Sequence, residues 1–342
     1  MNRGEPIAIA GIGCRFPGGA TDPDSFWRLM LEGVDAITEI PPDRWSIDRY
    51  HDPHTGRPGK SVSRWGGFVD DPSAFDPEFF GISPREAASI DPQHKMLLLT
   101  AAEALADACQ AAAPTGTPRD VGVFVGVSTH DFSQLQSAPG ELDGLDAWSL
   151  NSTAATLAAN RISYAFDLTG PSFAVDTACS SSLFAIHLAC EAIRSGQCRA
   201  AIAGGANALY HPGGFISFSR AGMLSPTGRC RAFDKSADGF VRSEGAGMIF
   251  LLPAAEARRS GLRIYAEILA TAANQDGRKP SMTAPASAAQ AALIESACRE
   301  AGIKPSDIQF MEAHGTGTQV GDPSEVAAIA RTVGAGRAGP CL

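Results

Sequence analysis

Residues 172–178, SFAVDTA, read as a buried strand, and Cys179 follows at once. Behind it, SSSLFAIHLACEAIRSG puts Leu183, Ile186, Cys190 and Ile193 at helical spacing, with Ser195-Gly196 as the stop. A second apolar run, AAIAGGA at 200–206, comes next. Strand, helix and strand in series make a βαβ unit. Such a unit predicts a parallel sheet covered by helices on both faces.

The rest of the chain extends this theme. PIAIAGIG at 6–13 reads as a short buried strand ending in a glycine turn, and 21–34 as a helix with Asp22 as N-cap and Pro23 in its first turn. Residues 41–75 are rich in Pro, Gly, Asp, Arg and Trp without periodicity, and read as a long surface excursion. Ser83-Pro84-Arg85-Glu86 has the form of a capping box, and Asp91-Pro92 opens a helix whose run MLLLTAAEALADA suits burial. VGVFVGV at 121–127 is a strand, and a Gly/Asp-rich segment at 139–147 precedes a helix near 152–161. Further on, GAGMIFLL at 245–252 reads as a strand and EARRSG as a surface turn. Then 262–274 is a long strand, 286–302 a helix, 308–314 a strand and 322–333 a helix. The strand–helix–strand theme is thus repeated, as in a duplicated α/β fold. A parallel sheet calls for one more strand after the last helix, and the sequence stops at Leu342 without it.

Composition removes several function classes. The 342 residues, 44% hydrophobic and 19% charged, can bury a large core in one large or two medium domains. With 28 basic against 37 acidic residues the net charge is −9, which argues against a nucleic-acid binder but leaves room for a local basic patch that docks an acidic partner. The eight cysteines are scattered with no CxxC pair, so a zinc site is not expected. Met1 to Pro6 has no signal-peptide pattern, and no apolar run reaches the length of a membrane span. A reducing cytoplasm is the expected location.

Two residues stand out chemically. Cys179 sits where a strand meets a helix N-terminus, whose N–H groups and dipole favour a thiolate. The alternative is a small buried hydrophobe, the usual fate of a solitary cysteine. His314 ends a short apolar strand and is followed by Gly315-Thr316-Gly317-Thr318, whose glycines allow close backbone approach and whose hydroxyls lie on one side of an extended segment. It can serve as acid, base or donor, or simply bond to a loop carbonyl. Asp322-Pro323-Ser324-Glu325 reads as a capping box. Two tempting motifs fail: Gly56 to Ser61 (GRPGKS) has too few residues between its glycines for a phosphate loop, and Gly11-Ile12-Gly13 lacks the third glycine of a dinucleotide site.

DTACSSS at 176–182 resembles the nucleophile signature of β-ketoacyl synthases, and EAHGTGT at 312–318 resembles their first histidine motif. Cys179 and His314 are 135 residues apart, in the family's order. GIGCRFPGG at 11–19, FDPEFFGISPREA at 75–87, GMLSPTGRCRAFD at 222–234, DGFVRSEGAG at 238–247 and NQDGR at 274–278 are similar to stretches of modular type I polyketide-synthase ketosynthases. The resemblance covers nearly the whole chain.

It implies an α/β thiolase-like fold, with two similar α/β halves in a five-layered core, the second half incomplete. The halves would be 1–252, with the nucleophile, and 253–342. It also implies a homodimer within a multidomain synthase and an acyl carrier protein as partner. No cofactor or metal would be bound by the chain itself, because substrates ride on the carrier's phosphopantetheine. Cys179 would take the acyl group as a thioester, with its own backbone N–H as one oxyanion donor. His314 would stabilise the enolate left when a malonyl-type extender loses carbon dioxide. Thr316 and Thr318 would hold the pantetheine arm, and Glu325 matches the acidic residue that the family pairs with a lysine.

That lysine, the Asn-x-Gly-His shortly after it, and the family's later glycine-rich loop do not occur in these residues. Ser243 stands where the family more often has glycine. The motif order puts the missing parts beyond Leu342, so the expectation is a truncated ketosynthase, impaired in condensation and prone to aggregate. The alternatives are a non-catalytic pseudoenzyme that at most dimerises or binds a carrier, and the condensing enzyme of fatty-acid synthesis.

Overall fold

In a computed structural model, the described residues are 4–54, 56–108, 119–138, 140, 143, 148–279, 281–337 and 339–342. Cys109 and most of the 139–147 segment lie outside them. The chain divides into two compact units: Met1–Trp45, Gly67–His211 and Ser243–Ile268 form one, and Ser46–Gly66, Pro212–Arg242 and Leu269–Leu342 the other.

The first unit is built on a six-stranded sheet. Its strands are β1 (Ile7–Arg15), β2 (Val121–Gly126), β3 (Ser172–Val175), β4 (Ala200–Asn207), β5 (Gly245–Pro253) and β6 (Ala266–Ile268), in the order β3-β2-β4-β5-β1-β6. The βαβ crossover is there: β3 and β4 both run parallel to β2, one on each side of it. The remaining pairs, β4 with β5, β5 with β1 and β1 with β6, are antiparallel. The sheet is therefore mixed, not parallel, because the long connection from 208 to 244 brings β5 back in the opposite direction.

Side chains alternate across the strands as period 2 requires. Val121, Val123 and Val125 face a core shared with α3 (Pro92–Asp107), α4 (Ala155–Ala165) and α7 (Ala254–Arg259). Phe124, Ala201, Ala203 and Leu251 face the opposite core, filled by Ala185, Ala189, Cys190 and Ile193 of α5 (Ser181–Arg194). Helices on both faces give three layers. Gly11 and Gly13 serve this packing rather than a nucleotide: a Cβ on either would run into the α3 backbone, at the carbonyls of Ala104 and Thr100.

The helix starts follow their capping residues. Asp22 caps α1 (Pro23–Glu32) in a capping box with Ser25. Ser83 caps α2 (Pro84–Ser89) by accepting from the Glu86 N–H, but the Glu86 carboxylate turns to Arg161, 2.6 Å away, instead of closing the box. Asp91 caps α3 through the Gln93 N–H.

Several expectations are corrected. The strand at 172–178 is a short edge strand, Ser172–Val175, with Phe173 38% exposed, since β2 is its one sheet neighbour among the described residues. The excursion at 41–75 is not all surface: Trp45, Val62 and Phe68 are buried. EARRSG lies on α7 and its end. The long strand at 262–274 shrinks to β6, and 308–314 forms no strand. An apolar extended segment becomes a strand only where a neighbour completes its ladder. Among the described residues, β1 does so for β6, while Gln309 and Met311 exchange backbone bonds only with Leu342.

The second unit carries α6 (Gly213–Arg220), α8 (Ser287–Ala301) and α9 (Gly321–Arg331). In it, Ser219 Oγ accepts the Val62 N–H and pairs with the Ser61 hydroxyl, which fastens 46–66 to α6.

Candidate active site

Cys179 lies in a 3-10 turn, Ala178–Ser180, that runs straight into α5. Its surroundings explain why the chain turns there. The Asp176 carboxylate accepts the Ala178 N–H at 2.8 Å, and Ser181 Oγ accepts the Thr177 N–H at 2.9 Å while donating to the Ala178 carbonyl at 2.7 Å. Ala178 takes φ = 55°, a left-handed backbone that non-glycine residues enter at a cost. The turn is seated on the sheet through Gly126, the last residue of β2. A Cβ there would come within 2.5 Å of the Ser181 carbonyl carbon and the Ser182 nitrogen. The side chain of Cys179 is exposed, so the small-hydrophobe alternative does not describe it. Cys14, Cys190 and Cys198 are buried, and burial pushes each of their thiols up to about 11.

His314, Thr316, Thr318 and Glu325 are brought together in the second unit. The Glu325 carboxylate accepts the His314 N–H at 2.6 Å and the Gly315 N–H at 2.8 Å. Asp322 does the same for two further amides, Gly317 at 3.0 Å and Phe233 at 2.6 Å, and is itself buried. The expected capping box is therefore absent. α9 begins at Gly321, and Thr318 Oγ1 accepts that residue's N–H at 3.1 Å, so both carboxylates are released to hold the preceding loop. The Thr316 and Thr318 hydroxyls pair at 2.9 Å, which places both on one side of the segment. Gly315 and Gly317 have φ of 52° and 64°. The Gly317 carbonyl accepts from Gly239, and the Gly315 carbonyl lies 3.3 Å from the Cys230 thiol. The loop is thus bonded along its length, with the His314 side chain exposed.

Sequence reasoning missed Asp322 as a clamp. Its signal, an acid three residues before Glu325, was absorbed by the capping reading. It also missed the buried pair of Arg44 and Glu244, at 2.9 and 3.0 Å, in which Glu244 further accepts the Val69 and Leu209 amides. Ser243, next to it, packs directly against Gly67, which has no side chain to oppose it. Among the described residues no three His, Cys, Asp or Glu side chains cluster as metal ligands would, and no helix is long and apolar enough to cross a membrane.

Two family models match the chain. Beta-ketoacyl synthase, N-terminal domain, covers residues 4–257, and Beta-ketoacyl synthase, C-terminal domain, covers 265–342. The chain is 48% identical over 335 residues to one of the phenolphthiocerol/phthiocerol polyketide synthase polypeptides of Mycobacterium tuberculosis, covering 97% of this chain and 18% of that protein. It is 47% identical over 337 residues to a mycocerosic acid synthase-like polyketide synthase of Mycolicibacterium smegmatis, covering 98% and 16%. Among solved structures, the oxazolomycin ketosynthase domain of Streptomyces albus superposes with a TM-score of 0.89 at 41% identity, covering 96% of this chain and 56% of that one. The ketosynthase from module 6 of the bacillaene synthase of Bacillus subtilis gives 0.85 at 36% identity, covering 96% and 55%.

Proposed function

The chain belongs to the β-ketoacyl synthases, as a ketosynthase region of the modular polyketide-synthase kind with a thiolase-like α/β fold and a mixed sheet, and from that premise we propose that it performs decarboxylative Claisen condensation. The Cys179 thiolate attacks a carrier-bound acyl thioester, forming the enzyme thioester as the carrier's thiol leaves. A malonyl-type extender on a second carrier then loses carbon dioxide. The electron pair of the broken C–C bond passes into an enolate, which attacks the Cys179 thioester and expels the cysteine sulfur. The product is a β-ketoacyl chain on the carrier.

We assign Cys179 as nucleophile, with its backbone N–H as one oxyanion donor. His314 is the hydrogen-bond donor to the enolate, Thr316 and Thr318 hold the pantetheine arm, and Glu325 supports the His314 loop. Residues 1–252 form the half with the nucleophile and 253–342 the half with the histidine, in a cytoplasmic homodimer with a five-layered core. The acyl carrier protein and the other domains of a synthase are its partners. The chain spans about a fifth of the length of the curated relatives it matches, which supports its reading as one region of a larger enzyme.

The observation that carries the proposal is the contrast among thiols. Among the described residues, Cys179 alone stands exposed at the start of a long helix, while Cys14, Cys190 and Cys198 are sealed in the cores. Incubation with an acyl-carrier thioester followed by mass spectrometry should place the acyl group on Cys179, and Cys179→Ala should lose it. Acylation at another cysteine would overturn the assignment. A non-catalytic pseudoenzyme would take up no acyl group at this step.

A further inference from the structure

At the start of α3, a small pocket of about 10 Å³ is lined by Asp91, Gln93, His94, Thr129, His130 and Thr153, among others. His94 is 3% exposed, and its Nδ1 is buried without a hydrogen-bond partner in the protein. Its neighbours in the pocket are engaged. The Asp91 carboxylate accepts the Gln93 N–H at 2.8 Å, and the Gln93 amide donates to the Thr129 carbonyl at 3.0 Å. The Thr129 hydroxyl sits 2.9 Å from both Gln93 Oε1 and Asn207 Oδ1. A buried ring nitrogen left unpaired costs more than immobilising one small polar molecule beside it.

We infer that this pocket binds a single ordered water molecule, hydrogen-bonded to His94 Nδ1 and to the Asp91–Thr129 group, which ties the first turn of α3 to the loop that leaves β2. The volume suits one water and nothing larger. The chemistry calls for a neutral ligand that can both donate and accept. Burial, helped by the nearby Arg161 guanidinium, pushes His94 down to about 3, so its ring is neutral over the working range of pH and offers either a lone pair or an N–H. That same guanidinium disfavours a second cation in the pocket. His130 on the rim is exposed, which leaves a way for solvent to exchange.

The test is a crystal structure of the chain from crystals soaked in rubidium chloride. We expect one well-ordered density peak within hydrogen-bond distance of His94 Nδ1 and of at least one other polar lining atom. It should give no rubidium anomalous signal, and it should disappear in His94→Leu. No peak beside Nδ1 would overturn the inference, and an anomalous peak there would replace water by a monovalent cation. If His94→Leu fails to fold, the wild-type crystal decides the matter alone.

Discussion

The segment with Cys179 and the segment with His314 are held in place by different physics. The cysteine turn is packed. It rests on Gly126, its helix buries Ala185, Ala189 and Cys190 against the sheet, and its local bonds come from the short side chains of Asp176 and Ser181. Among the described residues the histidine loop has no strand ladder under it, and the carboxylates of Asp322 and Glu325 clasp four of the unit's amides instead. Charge is suppressed around the first. Burial is the leading cause that pushes the Cys14, Cys190 and Cys198 thiols up to about 11, Asp91 up to about 6 and His94 down to about 3. Carboxylates buried in that unit have their acceptors satisfied: Glu244 holds Arg44 and the Val69 and Leu209 amides, and Asp131 holds the Tyr210 and His211 amides. Around the second segment, charge is the fastening. A packed segment should fail through shape, and a clasped one through loss of an acceptor.

The sharpest way to break this contrast is Gly126→Ala. The added methyl has only backbone to push against, at the first residues of α5, so the helix start and Cys179 must move together. Overpacking of this kind costs about 3 kcal/mol or more, and a displacement of the proposed nucleophile by about 1 Å should slow acylation about 100-fold. Denaturant midpoints and the mass-spectrometric acylation rate measure the two effects. Wild-type acylation in Gly126→Ala would mean that packing does not set the position of Cys179.

Titration of the packed unit gives the next largest effect. Asp91 is raised in the folded state to about 6, so the fold binds its proton more tightly than the unfolded chain does. Its contribution is present below the ordinary carboxylate value near 4 and is lost as pH rises through about 6. His94, lowered to about 3, acts in the opposite sense: the unfolded chain binds its proton more tightly, so stability is lost as pH falls below about 6.5. Between about pH 4 and 6 the two slopes oppose each other. Asp91→Asn removes one of them. Its stability relative to wild type should rise by about 3 kcal/mol from pH 4 to pH 6, since each tenfold difference in proton affinity between the folded and unfolded chain is worth about 1.4 kcal/mol. A constant difference across that range would show that burial does not suppress charge there.

How much of this was legible in the sequence follows the same divide. The βαβ series, the helix starts at Asp22, Ser83 and Asp91, and the place of Cys179 where a strand gives way to a helix could be read locally, because each depends on residues adjacent in the chain. The direction of β5 could not, since nothing in GAGMIFLL distinguishes a parallel from an antiparallel neighbour. The strand expected at 308–314 has the right apolar pattern, but a ladder is a property of two segments, and only one is written there. Asp322 and Glu325 were visible as a capping pattern, yet their acceptors went to Gly317, Phe233, His314 and Gly315. For Phe233 the contact spans 89 positions, and no local rule reaches that far.

That distant contact also provides the smallest and most discriminating test. Asp322→Ala leaves the amides of Gly317 and Phe233 without their acceptor in a buried setting, while Asp322→Asn keeps one oxygen and should lose about half as much. We expect about 2 kcal/mol for the alanine variant, because bonds to a charged acceptor are strong but the loop can recruit water once it opens. Hydrogen exchange followed by mass spectrometry resolves where the loss falls. Peptides spanning 312–318 should exchange about 30-fold faster, whereas those spanning 176–182 should keep their wild-type rate. The clasp sits on the loop and contributes nothing to the seat of α5 on Gly126. If both segments quicken together, the two are one cooperative element, and the distinction between a packed cysteine turn and a clasped histidine loop would have to be given up.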